Sequence, residues 1–295
     1  MDAADLRVFE SVARCGSMNK AAAELNTVQS NVTARIKALE DELGFELFER
    51  THRGVTLSAA GKRLLPFASR AARVLEDARR AVSDQGSPSG PLVIGSLDTT
   101  AALRLSPILA EFASAHPAVD LTLRTGTTAE LIEQVLNHSL EGAFVCGPVN
   151  HPDLITEPFV REELVIMTAP GVTDFDAIAA IPDLKIIVLK IGCSYRLHLE
   201  ALLARHGIVG VRCLEFGTLE AIFSCVSAGL GITLLPRALL GSVWDPKRVG
   251  VHSLPNASKW VDTVFVRRRE AYASSALRAF LDLARPATTR TAAAE

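Results

Sequence analysis

Thr27, Gln29, Ser30, Asn31 and Thr33, followed by Arg35 and Lys37, crowd the start of one amphipathic segment. Gln and Asn can each make two hydrogen bonds to an adenine edge, Arg and Lys suit guanine or phosphate, and Ser and Thr suit either. At helical spacing, positions 29, 30, 33 and 37 share one face, opposite Val32, Ile36 and Leu39. Taken alone, such residues also suit a helix end that merely faces water. Close by, between Arg50 and Leu75, stand six cations (Arg50, Arg53, Lys62, Arg63, Arg70 and Arg73) and no Asp or Glu. A helix that enters a DNA groove while flanking cations grip phosphates is the chemistry this arrangement suits.

Three short helices must position these side chains. Leu6, Phe9, Val12 and Ala13 make an apolar stripe that ends at Gly16, a good left-handed cap. Ser17 caps a second helix with Ala21, Ala22 and Leu25 facing inward, and Asn26 and Thr27 break it. A third helix, from Val28 to about Glu42, buries Val32, Ile36 and Leu39. Gly44 ends it, and Leu47 and Phe48 return to the same small core. From Ser58, apolar residues recur at steps of three or four through Ala60, Leu64, Phe67, Ala71, Leu75, Ala78 and Val82. That is a long helix with one stripe, with Pro66 a candidate kink, and its small residues suit close antiparallel pairing with a second copy.

The boundary after it is DQGSPSGP (84–91), a connector rich in Gly, Ser and Pro. Beyond lies a different texture: LVIGS, a helix from Ser106, VDLTLRT, a helix from Ala129 and EGAFVCG alternate strand with helix. ELVIMTA, LKIIVLK, YRLHLEALLARHG, VRCLEF, LEAIFSCVSAG and GITLLP continue the alternation, and VHSL, WVDTVFV and ASSALRAFLDLA close the chain. This pattern predicts a parallel sheet with helices on its faces, divided into two lobes that exchange chain near Arg161 and Val266.

Hydroxyl-bearing loops in that region could line a second site. They are Ser96, Asp98, Thr99 and Thr100 after the first strand, and Thr125, Thr127 and Thr128 after the second. Cys193, Ser194, Tyr195 and Arg196 open one later helix, and Gly217 and Thr218 open another. Ser and Thr are good helix caps. Clustered beside helix N-termini they also suit a carboxylate or similar anion, with Arg196 as counter-charge. Asp98 cuts against a purely anionic ligand; it could meet an amine or hydroxyl, or serve as a cap.

Composition narrows the classes. Net charge is −2 over 295 residues, and residues 1–66 hold nine basic and nine acidic side chains, so the DNA signal lies in local distribution. No window reaches the ~18 uninterrupted apolar residues of a membrane span. MDAADLRVFESV does not read as a signal peptide. Five scattered cysteines (Cys15, Cys146, Cys193, Cys213 and Cys225) without CxxC spacing argue against disulfides or zinc and for a cytoplasmic protein. Cys193 at a helix start, with Cys213 and Cys225 in the same lobe, leaves a thiol redox switch as one alternative. A solute-binding protein without DNA function is another, and it needs an export signal. GxSxG, HExxH, P-loop and Rossmann patterns are all absent from the sequence, and no catalytic residue, metal ligand or cofactor is assigned.

Phe9, Ala13, Gly16, Ser17, Ala21, Ala22, Leu25, Gln29, Ser30, Val32, Ile36, Leu39, Glu40, Gly44, Leu47, Phe48, Arg50, Arg53, Gly54, Leu57, Ala60 and Gly61 together resemble the amino-terminal signature of LysR-type transcriptional regulators. The resemblance is dense over residues 5–66 and weaker beyond, where the element order matches that family's effector domain. It implies a multidomain fold: an N-terminal all-α winged helix-turn-helix with a long linker helix, then a two-lobed α/β effector domain like a periplasmic binding protein. Boundaries follow as residues 1–58, a linker helix 59–83, a hinge 84–90, lobe I from 91–161 with 267–290, and lobe II from 162–266. On that resemblance, Gln29, Ser30 and Thr33 face bases, Arg35, Lys37 and Arg50 face phosphate, and Arg53 sits on a wing against the backbone or minor groove. Thr27 and Asn31 complete the implied DNA-binding set. The expected partners are double-stranded promoter DNA, a small-molecule effector of carboxylate or similar character, and further copies of the chain as a dimer of dimers, with no membrane.

Overall fold

The computed structural model describes residues 1–51, 54–84, 86–190, 193–255 and 258–285, excepting the side chains of Arg50, Thr51, Arg73 and Glu76. The chain divides into two compact units, Met1–Gln85 and Gly86–Glu295. Among the described residues no helix is long and apolar enough to cross a membrane.

The first unit comprises α1 (Ala3–Cys15), α2 (Met18–Glu24), α3 (Gln29–Leu43), β1 (Phe48–Thr51), β2 (Gly54–Leu57) and α4 (Ala59–Ser83). Local chemistry sets its corners. Asp2 accepts from the Ala4 and Asp5 N–H groups, and the Asp5 carboxylate accepts from Asp2 N–H, so α1 starts in a reciprocal cap. Gly16 then stops α1 at φ 62°, and Gly44 stops α3 at φ 72°, both left-handed positions where a side chain is strained. The helices enclose Phe9, Val12, Ala21, Val32, Ile36, Leu39, Leu47 and Phe48. Each such apolar side chain contributes about 1.5–3 kcal/mol by leaving water. Glu40 turns back to accept from Leu47 N–H at 2.7 Å and Phe48 N–H at 3.2 Å, which joins α3 to the β1–β2 hairpin.

Ser58 caps α4 by accepting from Gly61 N–H at 3.0 Å, and the helix continues through Pro66 without interruption. The single stripe expected from spacing divides. Ala60, Leu64, Leu65 and Ala68 pack on the first unit's core, whereas Phe67, Val74, Leu75 and Val82 are exposed.

The second unit runs β3 (Gly90–Ser96), α5 (Asp98–Thr100), a π-helical turn (Ala101–Leu105), α6 (Ser106–Ala115), β4 (Val119–Thr125), α7 (Thr128–Leu136) and β5 (Gly142–Cys146). It continues through β6 (Leu154–Thr168), α8 (Phe175–Ala179), β7 (Lys185–Val188), α9 (Ser194–Arg205), β8 (Arg212–Glu215), α10 (Leu219–Ser227) and β9 (Thr233–Pro236). α11 (Leu239–Ser242), β10 (Gly250–Ser253), β11 (Trp260–Arg268) and α12 (Ser275–Ala284) complete it. In one lobe β4, β3 and β5 are parallel, β5 pairs antiparallel with β11, and β11 pairs antiparallel with the first half of β6. In the other, β7 and β8 are parallel, while the second half of β6 pairs antiparallel with β9 and β10.

The sheets are therefore mixed, which corrects the expectation of purely parallel strands. The reason lies in β6: its first half, LITEPFVRE, alternates buried and exposed positions and offers no apolar run to mark it as strand. Only its second half, LVIMT, is buried throughout. α5 and the π-helical turn also extend helix upstream of Ser106, where the sequence had suggested a loop.

Candidate functional site

The exposed start of α3 is one candidate site. Val28 has no side chain able to cap it, so the helix opens without a side-chain cap and without an acidic residue in its first turn. Such an end carries free N–H groups and positive partial charge. Gln29, Ser30, Asn31 and Lys37 are exposed, and Thr27 and Thr33 are half-buried. The Gln29 amide donates to the Thr33 hydroxyl at 3.5 Å, and the Asn31 amide donates to the Thr27 hydroxyl at 3.2 Å. These weak local bonds hold the side chains over the helix start while leaving them accessible.

Arg35 has a different setting from the one implied by resemblance. Its guanidinium donates to the Asp5 carboxylate at 3.0 Å, a bond that ties α3 to α1 and occupies the group inside its own unit. Arg53 and the Arg50 side chain lie outside the described residues.

The second candidate is a cavity of about 390 Å³, open mouth included, between the two lobes. It lies at the carboxyl ends of β3, β4, β5 and β7, where open α/β sheets present their ligand crevices. From the β3 lobe, Leu97, Asp98 and Thr99 line it, with Gly126, Thr127, Thr128 and Cys146; from the other lobe come Leu189, Lys190, Cys193, Ser194 and Tyr195. Three polar contacts cross between lobes. The Ser194 hydroxyl donates to Thr128 Oγ1 at 3.2 Å, the Tyr195 and Thr99 hydroxyls meet at 3.1 Å, and Lys190 stands 3.7 Å from Glu130.

Seven of the residues singled out from sequence thus meet at one cavity: Asp98, Thr99, Thr127, Thr128, Cys193, Ser194 and Tyr195. Six others stand away from it. The Ser96 hydroxyl is buried and donates to the Leu97 carbonyl, and Thr100 is buried in the short helix. Thr125 is exposed at the end of β4. Arg196 turns along α9 to Glu200 at 2.8 Å, and so is not the counter-charge. Gly217 and Thr218 are exposed, with Thr218 serving as the α10 cap through Ala221 N–H.

Leu97 and Gly126 lie inside the hydroxyl-bearing loops singled out from the sequence, whereas Cys146, Leu189 and Lys190 were not foreseen. Lys190 was legible in principle, because it ends the LKIIVLK run at the same strand-end position as the other lining loops. Leu189 carried no such signal, since it looks like core.

The cavity's electrostatics are modest. Glu130 is held below the usual carboxylate range, first by the Thr127 N–H it accepts and further by Lys190. Burial pushes the Cys146 thiol up to about 11, and it raises the Cys193 thiol despite the α9 N–H groups beside it. Burial raises Cys213 as well, and all five cysteines are free. Protonated thiols of this kind are poor nucleophiles, which weakens the redox alternative. Among the described residues no group of three or more His, Cys, Asp or Glu could hold a metal ion.

Residues 3–62 match the model of the bacterial regulatory helix-turn-helix protein, lysR family, and residues 85–289 match the LysR substrate binding domain. The chain is 45% identical to the HTH-type transcriptional regulator YusT of Bacillus subtilis (strain 168), over 98% of this chain and 97% of that one. It is 42% identical to the HTH-type transcriptional regulator GltR of the same organism, over 94% and 93%. Among solved structures, full-length CbnR complexed with its target DNA shares the fold at a TM-score of 0.63 and 22% identity, covering 96% of this chain and 99% of that one.

Proposed function

The chain belongs to the LysR family and is a DNA-binding transcriptional regulator with an effector-binding domain, and from that premise we propose which of its residues read DNA and which sense the effector. Gln29, Ser30 and Thr33 read base edges from the exposed start of α3, with Thr27 and Asn31 beside them. Lys37, Arg50 and Arg53 take phosphates. Arg35 acts through Asp5 to fix the angle of α3 against α1.

The effector enters the cavity walled by Asp98, Thr99, Thr127, Thr128, Lys190, Ser194 and Tyr195. The observation that carries this reading is the meeting of hydroxyls from opposite lobes, Ser194 with Thr128 and Tyr195 with Thr99. A ligand that replaces or bridges those contacts binds the open and closed arrangements with different affinity, which is what shifts their populations. The protein works without catalysis, in the cytoplasm, as a dimer of dimers. The exposed Phe67, Val74, Leu75 and Val82 of α4 supply an apolar seam for a second copy.

Footprinting on promoter DNA with and without metabolites tests the reading. Thr128→Leu, which fills the cavity, should abolish the ligand-dependent change in the footprint. A response that persists in the filled cleft would show that the effector binds elsewhere.

A further inference from the structure

The cleft's charges select for a particular kind of effector. Its wall carries two charged groups, Asp98 and Lys190, and Lys190 stands 3.7 Å from Glu130 just outside it. Asp98 differs from them. It is half-buried, it lines the cavity, and it has no hydrogen-bond or ion-pair partner among the described residues. An unpaired carboxylate beside a small cavity favours a cation in that cavity and opposes a bare anion.

The other side of the cavity has the opposite preference. α9 begins at it without a side-chain cap hydrogen bond, beside the start of α7, which Thr127 and Glu130 cap reciprocally. The Thr128 and Ser194 hydroxyls stand at these helix starts and already bond each other across the lobes. Helix N-termini with hydroxyl donors favour a carboxylate. Leu97, Leu189 and Tyr195 supply the remaining wall, largely apolar, and offer no further charge for a ligand side chain.

We infer that the effector is a small zwitterion of the α-amino acid type, its ammonium against Asp98, its carboxylate at the Thr128–Ser194 end, and its side chain uncharged. A simple carboxylic acid would satisfy the helix ends but confront Asp98. A simple amine would satisfy Asp98 but leave the helix ends without an anion. Only a molecule carrying both charges meets both walls at once. The inference rests on the cleft being the effector site.

Matched triplets test it by calorimetry on the full chain. L-alanine, L-valine and L-leucine would each be compared with the acid lacking the amino group (propanoate, 3-methylbutanoate, 4-methylpentanoate) and the amine lacking the carboxylate (ethylamine, isobutylamine, 3-methylbutylamine). At least one amino acid should bind about tenfold or more tighter than both of its truncated partners. Asp98→Asn should bring the amino acid's affinity down to that of its truncated acid, without weakening the acid. Circular dichroism melting verifies that the variant is folded.

An acid that binds as well as its amino acid, a preference that survives Asp98→Asn, or no binding by any member would each overturn the zwitterion. The cleft reading fails separately. If a truncated acid binds to wild type and Thr128→Leu removes that binding, the cleft stands and the zwitterion falls. If Thr128→Leu leaves binding intact, the cleft itself is the wrong site and the inference falls with it.

Discussion

Glu162 offers a sharp test of the electrostatics in the second unit. It sits in β6 with its side chain 1% exposed and pairs with the Arg104 guanidinium at 3.1 Å from the π-helical turn. Its second oxygen, Oε2, has no hydrogen-bond partner among the described residues. Arg104→Met keeps most of the packing and leaves the carboxylate alone. A charge-assisted bond of this kind is worth roughly 1.5–3 kcal/mol. Arg104 is itself 40% exposed, so solvent screening favours the lower half of that range, about 2 kcal/mol. For a unit of this size that corresponds to a melting temperature lower by roughly 4–8 °C.

The pH dependence follows from the direction of the Glu162 shift. Burial raises its pKa above the ordinary 4.5, while Arg104 opposes that rise. A raised carboxylate pKa means that the folded state holds the proton more tightly than the unfolded chain does. Its contribution to stability is complete below the unfolded value and is lost as pH rises through the folded one. Removing Arg104 lifts the folded value further, so the variant's deficit should be largest at neutral pH and shrink as the medium approaches the unfolded pKa. Adding Glu162→Gln to Arg104→Met should restore most of the loss, because the lone charge is gone. Trp244 and Trp260, the chain's two tryptophans, both lie in the second unit, so tryptophan fluorescence during urea unfolding reports on it. A deficit below about 0.5 kcal/mol at neutral pH, or one equal at acid and neutral pH, would refute the reasoning.

Three further outcomes concern the first unit. Gln29→Ala should reduce discrimination between operator and altered sequence by about 1–3 kcal/mol in competition binding, and equal loss on operator and random DNA would count against base reading. Gly61→Ala would set a Cβ 2.2 Å from the Leu47 carbonyl oxygen, so α4 must back away from the hairpin at a cost of about 1–3 kcal/mol. Faster amide exchange in α3 checks this, and unchanged exchange would mean that the close approach is slack. Glu24 is drawn down to about 2, first by the hydrogen bond from Arg14. Its contribution is present above the ordinary 4.5 and lost as pH falls through 2. Both partners are more than one third exposed, so Glu24→Gln should cost less than ~1 kcal/mol at neutral pH in urea unfolding followed by circular dichroism, and a larger loss would contradict a screened surface pair.

The legibility of the sequence followed the range of the interactions involved. Gly16, Ser17, Gly44 and Ser58 mark helix ends through local backbone and cap chemistry, and the structure has caps at all four. Long-range pairing was illegible. Nothing near Arg35 indicates that Asp5, thirty positions earlier, will hold it, so a phosphate role looked natural. Arg196 is a different kind of miss, since Glu200 lies one helical turn away and the (i, i+4) spacing was available. The cavity divides likewise. Hydroxyls at helix starts could be read as a class, but which of them face the cleft (Thr99 in α5 and Thr128 at the start of α7) and which do not (Thr100 and Thr125) appears only in three dimensions.

The crossing strands link the Glu162 test to the cleft. Residues 154–158 and 160–163 of β6 pair with β11, and Leu164–Met167 pair with β9, so the strand changes partner between Glu163 and Leu164. Glu162, paired with Val261 of β11, is buried just before that change of partner. On β11 the register shifts between Thr263 and Val264, opposite Val160 and Pro158. The shifted register and a proline without an N–H interrupt the β6–β11 ladder a few residues before Glu162. Arg104 reaches Glu162 from the π-helical turn that follows α5, and α5 begins at Asp98 on the cavity wall. One helical segment thus connects a cavity-lining carboxylate to the buried carboxylate of β6. A ligand held by Asp98 would act on the crossing through that segment, so Arg104→Met should weaken the coupling between ligand and footprint as well as stability. Arg104→Met with an intact ligand response would separate the two, leaving Glu162 a matter of folding alone.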